Sequence, residues 1–581
     1  MSAWLSPPVL DSSVTIRSVA RVDKEVPHPV HRSVTAPIDS AALSRSRYSP
    51  VCRHDDAPKC VPIRIRTVSS SCGFSISHAL CGVAARADDG GYTPIAFCRS
   101  SAYSKEMESL LAALYEEFGL DHVVTHPDHL TAMSRDALRP HRGFAEMLHV
   151  AQPPLAIVQP RSREEIVRLV AFARAHRIPL VPYGGGSGLM GGALSIRSSL
   201  VVDMTGMDRI IAVDRQGMTV RVQSGIRLRT LGDHLADRGL LLGHDPWSLS
   251  IATVGGAIGT NGLGYLGGRY GAMGAQVLGV EVVLGTGAVI RTTPVCKRST
   301  GPDLTQLFIG AEGTLGIVTE ATLQIFPQPQ HRALIGFRFR DFPTGFRAVV
   351  AMHQHGVRPT SLDLTAEGWP ADVQARRGFP APAPPTLRLV FDGLSGEVSA
   401  QCGEVTRIAS DFGGAAIAHA DLEAYWDNRH AIADRWAREP EFREGTWLQT
   451  PWGKSQFDFL HLAIPVTRVL DFREQAMDFL HRQDIVLCEE GVWIWPECYA
   501  VVLYCRQTPD NDATRTMRAT TDALYRLAHE AGGAIEYVHG VGLRLGHLME
   551  REIGSGMAAL HALKTAFDPD GIMNPGKLGL A

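Results

Sequence analysis

Several features that would settle a function at once are missing from this 581-residue chain. No stretch approaches the ~18 uninterrupted apolar residues of a spanning helix, so any membrane contact would be peripheral. Neither sign of charge dominates: 57 Lys+Arg stand against 60 Asp+Glu, a net charge of -3, so nothing is built to hold a nucleic-acid backbone. No Cys-x-x-Cys pair occurs, which removes the usual spacing of a structural zinc site. The ten cysteines are irregularly spaced, which argues against a disulfide framework. A disordered or collagen-like polymer is excluded by the 45% hydrophobic content and by glycine at only 57 positions. What is left is a large globular protein, long enough at roughly 150 residues per domain for three or four units.

The composition is uneven along the chain. Residues 1–105 hold five of the ten cysteines (Cys52, Cys60, Cys72, Cys81, Cys98) and 13 Lys+Arg against 8 Asp+Glu. This stretch is rich in Ser, Pro and Arg and lacks sustained period-2 or period-3.6 patterning. A targeting segment and a disulfide scaffold are both conceivable; we read residues 1–106 as a disordered or spurious extension.

From Met107 the pattern changes. MESLLAALYEEFG sets Leu110, Leu111, Leu114 and Phe118 on one helical face and stops at Gly119. LAIVQP (155–160) reads as a buried strand. RSREEIVRLVAFARAH follows as a helix with Ser162 and Glu165 as capping box and an apolar stripe of Ile166, Leu169, Val170 and Ala173. IPLVPY, a second strand, runs into the glycine loop Gly184–Gly192. That loop contains a formal GxGxxG, but a short β-branched stretch follows it instead of a helix, so the Rossmann reading fails its context test. Two readings stay open for the loop alone: a plain tight turn, or a nest of backbone N–H groups for an anion. Further glycine-rich stretches follow at 247–264 and 309–323, and 276–293 reads as a hairpin turning at Gly285-Thr286-Gly287. Three such loops on one framework suggest a single long ligand wrapped by backbone.

Taken in order, PYGGGSG, ATVGGAIGTNGLG, STGPDLTQLFIGAEGTLGIVTEATLQI and the terminal DPDGIMNPGKL resemble the FAD-linked oxidases of the vanillyl-alcohol oxidase/p-cresol methylhydroxylase superfamily. Two branches share these signatures, the D-2-hydroxyacid (D-lactate or glycolate-type) dehydrogenases and the alkyldihydroxyacetone-phosphate synthases. The resemblance implies that Pro182, Tyr183, Gly184, Gly185, Gly186, Ser187 and Gly188 cradle the FAD pyrophosphate. It places Trp247, Ser248, Leu249, Ser250, Ile251, Ala252, Thr253, Gly255, Gly256, Thr260, Asn261, Gly262 and Leu263 along the flavin and ribityl chain. Glu312, Gly313, Thr314, Leu315, Gly316, Ile317 and Val318 would hold the adenine side, and Asn574 with Lys577 would return the C-terminus to the flavin domain. Many relatives attach the flavin through a histidine in the first glycine loop. GGGSG has none, so the FAD is expected to be non-covalent, with attachment from a cap histidine left open.

Oxidising an alcohol carbon needs a base for the hydroxyl proton while hydride leaves for flavin N5. Histidine suits the base role, and the resemblance points to His539 in EYVHGVG among 23 histidines. Arg544 is either a bidentate anchor for a carboxylate or phosphate or a solvated arginine on a following helix; the helix pattern favours the latter. Arg429 and Arg468 are comparable candidates. Trp493 and Trp495 are either pocket walls or core. Many D-lactate-type relatives bind a divalent metal through a HxGDGNxH-like motif and a glutamate before the HGIG histidine. Here residues 489–504 contain no histidine and Val538 stands at the glutamate's place, so no metal is assigned. The synthase branch fits imperfectly too: Asp363 replaces an expected arginine, and for the expected tyrosine Trp495 is the better-aligned residue and Tyr499 merely near.

The expected fold is therefore α+β: a two-subdomain FAD-binding domain of PCMH type over 150–330, preceded by a helical lead-in (107–149), followed by an antiparallel-sheet cap (331–540) and a C-terminal return (541–581). The expected activity is FAD-dependent oxidation of a small D-2-hydroxy acid or related alcohol, with His539, Arg544 and Tyr499 as catalytic candidates. An alkylglycerone-phosphate synthase-like transferase is the second reading and a degenerate flavin-fold binding module the third. The expected partners are a small-molecule substrate and an electron acceptor the sequence does not name. No nucleic acid and no transmembrane segment are expected, a homodimer stays open, and the location would be cytoplasmic or peripheral to a membrane.

Overall fold

The computed structural model describes residues 101–139, 142–144, 151–370, 384–439 and 454–580. The expected extension therefore lies outside the described residues except for its end. Helix α1 (Ser101–Phe118) starts before the anticipated Met107, buries Leu114 and Phe118, and ends at Gly119 with φ 82°. No helix among the described residues is long and apolar enough to cross a membrane. The five cysteines described (Cys296, Cys402, Cys488, Cys498, Cys505) are all free.

The first sheet holds β1 (Val123–Val124), β2 (Ala156–Val158), β3 (Leu180–Tyr183) and β4 (Leu200–Asp203) in the order β1-β2-β4-β3. Strands β2, β4 and β3 run parallel, so a helix must cross between β2 and β3. This is α2 (Arg163–His176), whose Ile166, Leu169, Val170 and Ala173 are all buried, as their spacing predicts. Ser162 caps it by accepting from the Glu165 N–H at 3.2 Å. Glu165 in turn accepts from the Arg161 N–H at 2.8 Å, one residue outside the expected box.

The second sheet is antiparallel, with β5 (Ile210–Asp214), β6 (Thr219–Gln223), β7 (Val277–Val283), β8 (Val289–Arg291) and β9 (Ile317–Gln324) in the order β5-β6-β9-β7-β8. The expected hairpin is β7–β8, turning at Gly287 with φ +84°. Strand β9 alternates buried and half-buried residues along its length, the period of a strand with one covered face.

The cap is a seven-stranded antiparallel sheet. Its strands are β10 (His331–Arg338), β11 (Ser361–Glu367), β12 (Thr386–Gly393), β13 (Ala415–Ala416), β14 (Gln456–Ala463), β15 (Val486–Trp493) and β16 (Cys498–Cys505), in the order β13-β10-β12-β11-β15-β16-β14. Helices α3 (Phe342–Gln354), α4 (Ser395–Asp411), α5 (Val469–Arg482) and α6 (Ala513–Glu530) contribute to one continuous apolar core with these strands, which Phe144, Met190, Leu545 and Leu548 join from outside the cap. The other face of the sheet looks into the cavity described below. Beyond the cap the chain returns to the first sheet: the Leu180 N–H donates to Ile572 O (2.8 Å) and the Asn574 N–H to Leu180 O (2.9 Å). The mixed architecture anticipated from sequence is the one observed.

Candidate active site

One cavity of about 620 Å³ runs from the first glycine loop to the cap sheet. Its nucleotide end starts where β3 delivers Pro182 and Tyr183 into the loop. Gly185 leaves no choice of side chain: a Cβ would lie 1.9 Å from the Ile251 carbonyl oxygen beneath it. Gly186 adopts φ +67°, a conformation that only glycine takes at no cost. Among the backbone hydrogen bonds of the described residues, none is donated by the N–H groups of residues 184–188. Those groups are left for a ligand, which is the arrangement a pyrophosphate requires.

All residues from Pro182 to Gly188 line this cavity, as do Trp247, Ser248, Ala252, Thr253, Gly255, Gly256, Thr260, Gly262, Leu263, Glu312, Gly313, Gly316, Ile317 and Val318. The other expected cofactor residues do not. Leu249, Ser250 and Ile251 form the turn under the loop. Asn261 ends its helix with φ 49° and accepts from the Gly274 N–H at 2.9 Å. Thr314 donates to Ala311 O (2.7 Å) and Leu315 is in the second-sheet core. Asn574 donates to Gly192 O (2.9 Å) and Glu312 O (2.6 Å), and Lys577 to Leu194 O and Pro575 O. These last two clamp the backs of the loops rather than facing the cavity.

Electrostatics at this end are set by burial. The Glu312 carboxyl is pushed up to about 7 by desolvation, although the Val541 and Gly542 N–H groups donate to it. Asp136, also desolvated, rises to about 6, and Lys577 is brought down to about 8. His244 lines the cavity fully buried, with Nδ1 unpartnered, and desolvation lowers it to about 4, so it is a neutral ring.

At the cap end, register decides which side chains face the cavity. Arg388 on β12 pairs with Asp363 on β11, which pairs with Trp493 on β15. In the neighbouring row Thr365 (β11), Gly491 (β15), Ala500 (β16) and His461 (β14) stand opposite one another. The small Gly491 and Ala500 leave an open floor between Thr365 and His461. Glu367 opposes Glu489 in the next row; all of these side chains line the cavity. Burial, with Asp363 and Glu367 adding to it, raises Glu489 to about 7. Asp363 accepts from Tyr425 Oη (2.6 Å) and pairs with Arg388 (3.5 Å), whose guanidinium lies 4.7 Å from the Tyr425 ring. Trp493 packs edge-on against Tyr265 at 5.6 Å, so one of the two tryptophans is a cavity wall.

His539 also lines this end. Its ring meets His461 edge-on with centroids 4.8 Å apart, and its Nδ1 lies 3.3 Å from Glu536 Oε1. That oxygen accepts from the Val538 and His539 N–H groups at 2.9 Å each, which folds the EYVH segment into a tight turn. Burial would raise the Glu536 carboxyl, but its contacts with His539 bring it down to about 2, and desolvation lowers His461 to about 3.

Two catalytic candidates are displaced by the geometry. Tyr499 points to the opposite face of β16 from Ala500, as the period of 2 requires. It is buried against Phe342 and Phe472 and donates to Glu490 Oε2 at 3.0 Å. Arg544 is neither solvated nor helical: it is fully buried, donating to Asp458 Oδ2 and, at 2.8 Å, to Gly143 O. Asp458 lies on the covered face of β14 and also pairs with Arg142 at 2.8 Å. Arg429 pairs with Asp245 at 3.0 Å and Arg468 is on an exposed turn near Asp471. Among the described residues, the cap arginine that lines the cavity is Arg388, which the motifs did not mark. His461 was missed because only its position on β14 and that strand's pairing aim it inward.

Comparison with known proteins agrees with this geometry. Residues 154–293 match the FAD binding domain family, and residues 328–578 match the FAD linked oxidases, C-terminal domain family. Glycolate oxidase subunit GlcD of Bacillus subtilis is 28% identical over 73% of this chain and 89% of its own length. A probable mitochondrial D-lactate dehydrogenase of Danio rerio is 28% identical over 76% of this chain and 88% of its own. Among solved structures, p-cresol methylhydroxylase with substrate bound superposes with TM-score 0.64 at 20% identity, covering 82% of this chain and 97% of that one. An alkyldihydroxyacetonephosphate synthase superposes with TM-score 0.63 at 21% identity over 81% and 85%. With both family models matched in order and the loop geometry in place, the chain belongs to the FAD-linked oxidases.

Proposed function

We propose that this FAD-linked oxidoreductase oxidises the hydroxyl-bearing carbon of a small D-2-hydroxy acid or a related alcohol, with FAD held non-covalently. The observation that carries the reading is His539 at the junction of the nucleotide loops and the cap floor, facing the same cavity as both. Bound FAD supplies the hydride acceptor. The chain's own residues do the rest. His539 takes the hydroxyl proton, and Glu536 fixes the turn that presents its ring. Arg388 is placed to meet a substrate carboxylate, with its charge shared by Asp363. Trp493, Tyr265 and Tyr425 wall the space and exclude water. Non-covalent binding is supported by the absence of a histidine from the first glycine loop; acid precipitation should release the yellow cofactor into the supernatant.

The test is an anaerobic panel of 2-hydroxy acids and simple alcohols. A substrate bleaches the flavin absorption, whereas a spectrum unmoved by the whole panel defeats the proposal.

A further inference from the structure

The cap end of the cavity holds more negative charge than its positive charge answers. Asp363, Glu367 and Glu489 line it, and Arg388 is the guanidinium that lines it with them. Arg388 is already engaged: it pairs with Asp363 at 3.5 Å, and Tyr425 Oη donates to that same carboxylate at 2.6 Å. Glu367 and Glu489 are direct cross-strand partners on β11 and β15. Among the described residues, neither of these two carboxylates takes a hydrogen bond or a close ion pair. Like charges directly opposite one another destabilise a sheet. A proton on Glu489, which burial pushes up to about 7, relieves part of this near neutral pH. What is left is a standing attraction for a positive charge.

Two further features say that this charge belongs to an organic ligand. Nδ1 of His461, on the same floor across Gly491 and Ala500, is buried without a hydrogen-bond partner. Desolvation lowers this ring to about 3, so it is neutral and meets a ligand through a hydrogen bond rather than a charge. Trp493, Tyr265 and Tyr425 line the same end of the cavity. Aromatic faces attract an ammonium or guanidinium but offer nothing to a hard metal ion, which wants oxygen ligands throughout.

We propose that the substrate is a hydroxy acid or alcohol whose far end carries an ammonium or guanidinium, held between Glu367 and Glu489 while the hydroxyl-bearing carbon lies at His539. This rests on the oxidation proposed above and adds to it the residues that select the substrate. The dimensions agree. Glu489 on β15 stands two strands from His461 on β14, about 10 Å at the usual strand spacing. His461 in turn meets the His539 ring with centroids 4.8 Å apart. The path between them crosses Gly491 and Ala500, whose side chains are too small to block a chain of a few carbons. A carboxylate at the far end would meet two like charges, so the pair rejects dicarboxylates as well as selecting cations.

The experiment titrates the full-length flavoprotein with ω-amino acids of about four to eight carbons, long enough to span that distance, by isothermal titration calorimetry with a chelator present. Each is compared with the fatty acid and the dicarboxylic acid of the same length. These probes lack the hydroxyl, so binding is read without turnover. The best ω-amino acid should bind at least about tenfold more tightly than the matching fatty acid, the worth of a charge-assisted hydrogen bond, and the dicarboxylic acid should bind most weakly. Glu367→Gln and Glu489→Gln keep the side-chain shape and should each lower that preference, and the double variant should erase it. A wild type that binds the fatty or dicarboxylic acid as tightly as the amino acid, or binds none of them, overturns the proposal. A preference that survives in the double variant overturns it too; should that variant fail to fold, the wild-type ranking and the single variants decide. Anaerobic addition of the 2-hydroxy derivatives reads the oxidation separately. An amino preference with an unbleached flavin supports the cation site and defeats the oxidation, whereas bleaching by uncharged 2-hydroxy acids without an amino preference does the reverse.

Discussion

Glu312 accepts hydrogen bonds from the backbone N–H of Gly542 through both carboxylate oxygens, at 3.0 and 2.8 Å. A residue of the third glycine-rich loop thereby holds the backbone three residues past His539, tying the nucleotide end of the cavity to its chemical end. The burial of this carboxylate has a price in pH. Because desolvation raises the Glu312 carboxyl to about 7 and Asp136 to about 6, these two carboxyls hold more protons in the folded protein than in the unfolded one from about pH 4.5 to 7. Their share of the stability is therefore full below the unfolded values and is lost as pH rises through the folded ones, opposite in sign to the share of the buried His244 and His461. Glu312→Gln should remove its share of this slope, up to about 3 kcal/mol. Chemical denaturation at pH 5 and pH 7.5 checks it.

His539→Ala should slow anaerobic flavin reduction by about 10²- to 10⁴-fold, the range for loss of a positioned base, while the purified protein stays yellow. Stopped-flow absorbance with the best substrate of the panel measures both. Unchanged reduction removes His539 from the chemistry.

Arg388→Ala should raise KM for 2-hydroxy acids by about 10- to 100-fold, the worth of a charge-assisted hydrogen bond, with much less effect on an uncharged alcohol. Steady-state kinetics on an acid and alcohol pair of equal size make the comparison.

The cap floor also carries Asp363, Glu367 and Glu489, which would repel an anionic substrate. Glu489, held at about 7 by burial, loses its charge as pH falls through that value. KM for a hydroxy acid should therefore improve on going from pH 8 to pH 6, by about 1 kcal/mol or roughly fivefold for one charge across a partly screened cavity. Glu489→Gln should flatten the profile. A KM independent of pH in the wild type would show that Glu489 does not face the substrate.

Asp458→Asn strikes the buried pair partner of both Arg142 and Arg544. Two guanidinium groups would be left without their carboxylate, and breaking such a pair costs about 3–5 kcal/mol. Urea unfolding should register that loss, with flavin spectra of the surviving folded protein little changed.

Much of this was legible beforehand because the backbone itself carries the signal. Helix α2 follows from Ser162 and the stripe Ile166, Leu169, Val170 and Ala173, and the glycine loop follows from residues whose Cβ has no room. Those features are local, so sequence spacing reports them. Arg544 and Tyr499 misled because each is chosen by what lies opposite: Asp458 on the covered face of β14 in one case, the parity of β16 in the other. Arg388 and His461 were invisible for the same reason, since only cross-strand register places them beside the cavity. A cap sheet of seven strands with crossing connections hides its register from any one-dimensional reading.

Asn574 and Lys577 give the order of assembly a direction. They follow the cap in sequence yet brace loops that precede it, so the nucleotide half is completed by chain from both sides of the cap. A nascent chain paused after the cap would hold every glycine of the cradle without the braces behind it. Full bracing of the cradle therefore waits on the segment after the cap folding back across it to the first sheet.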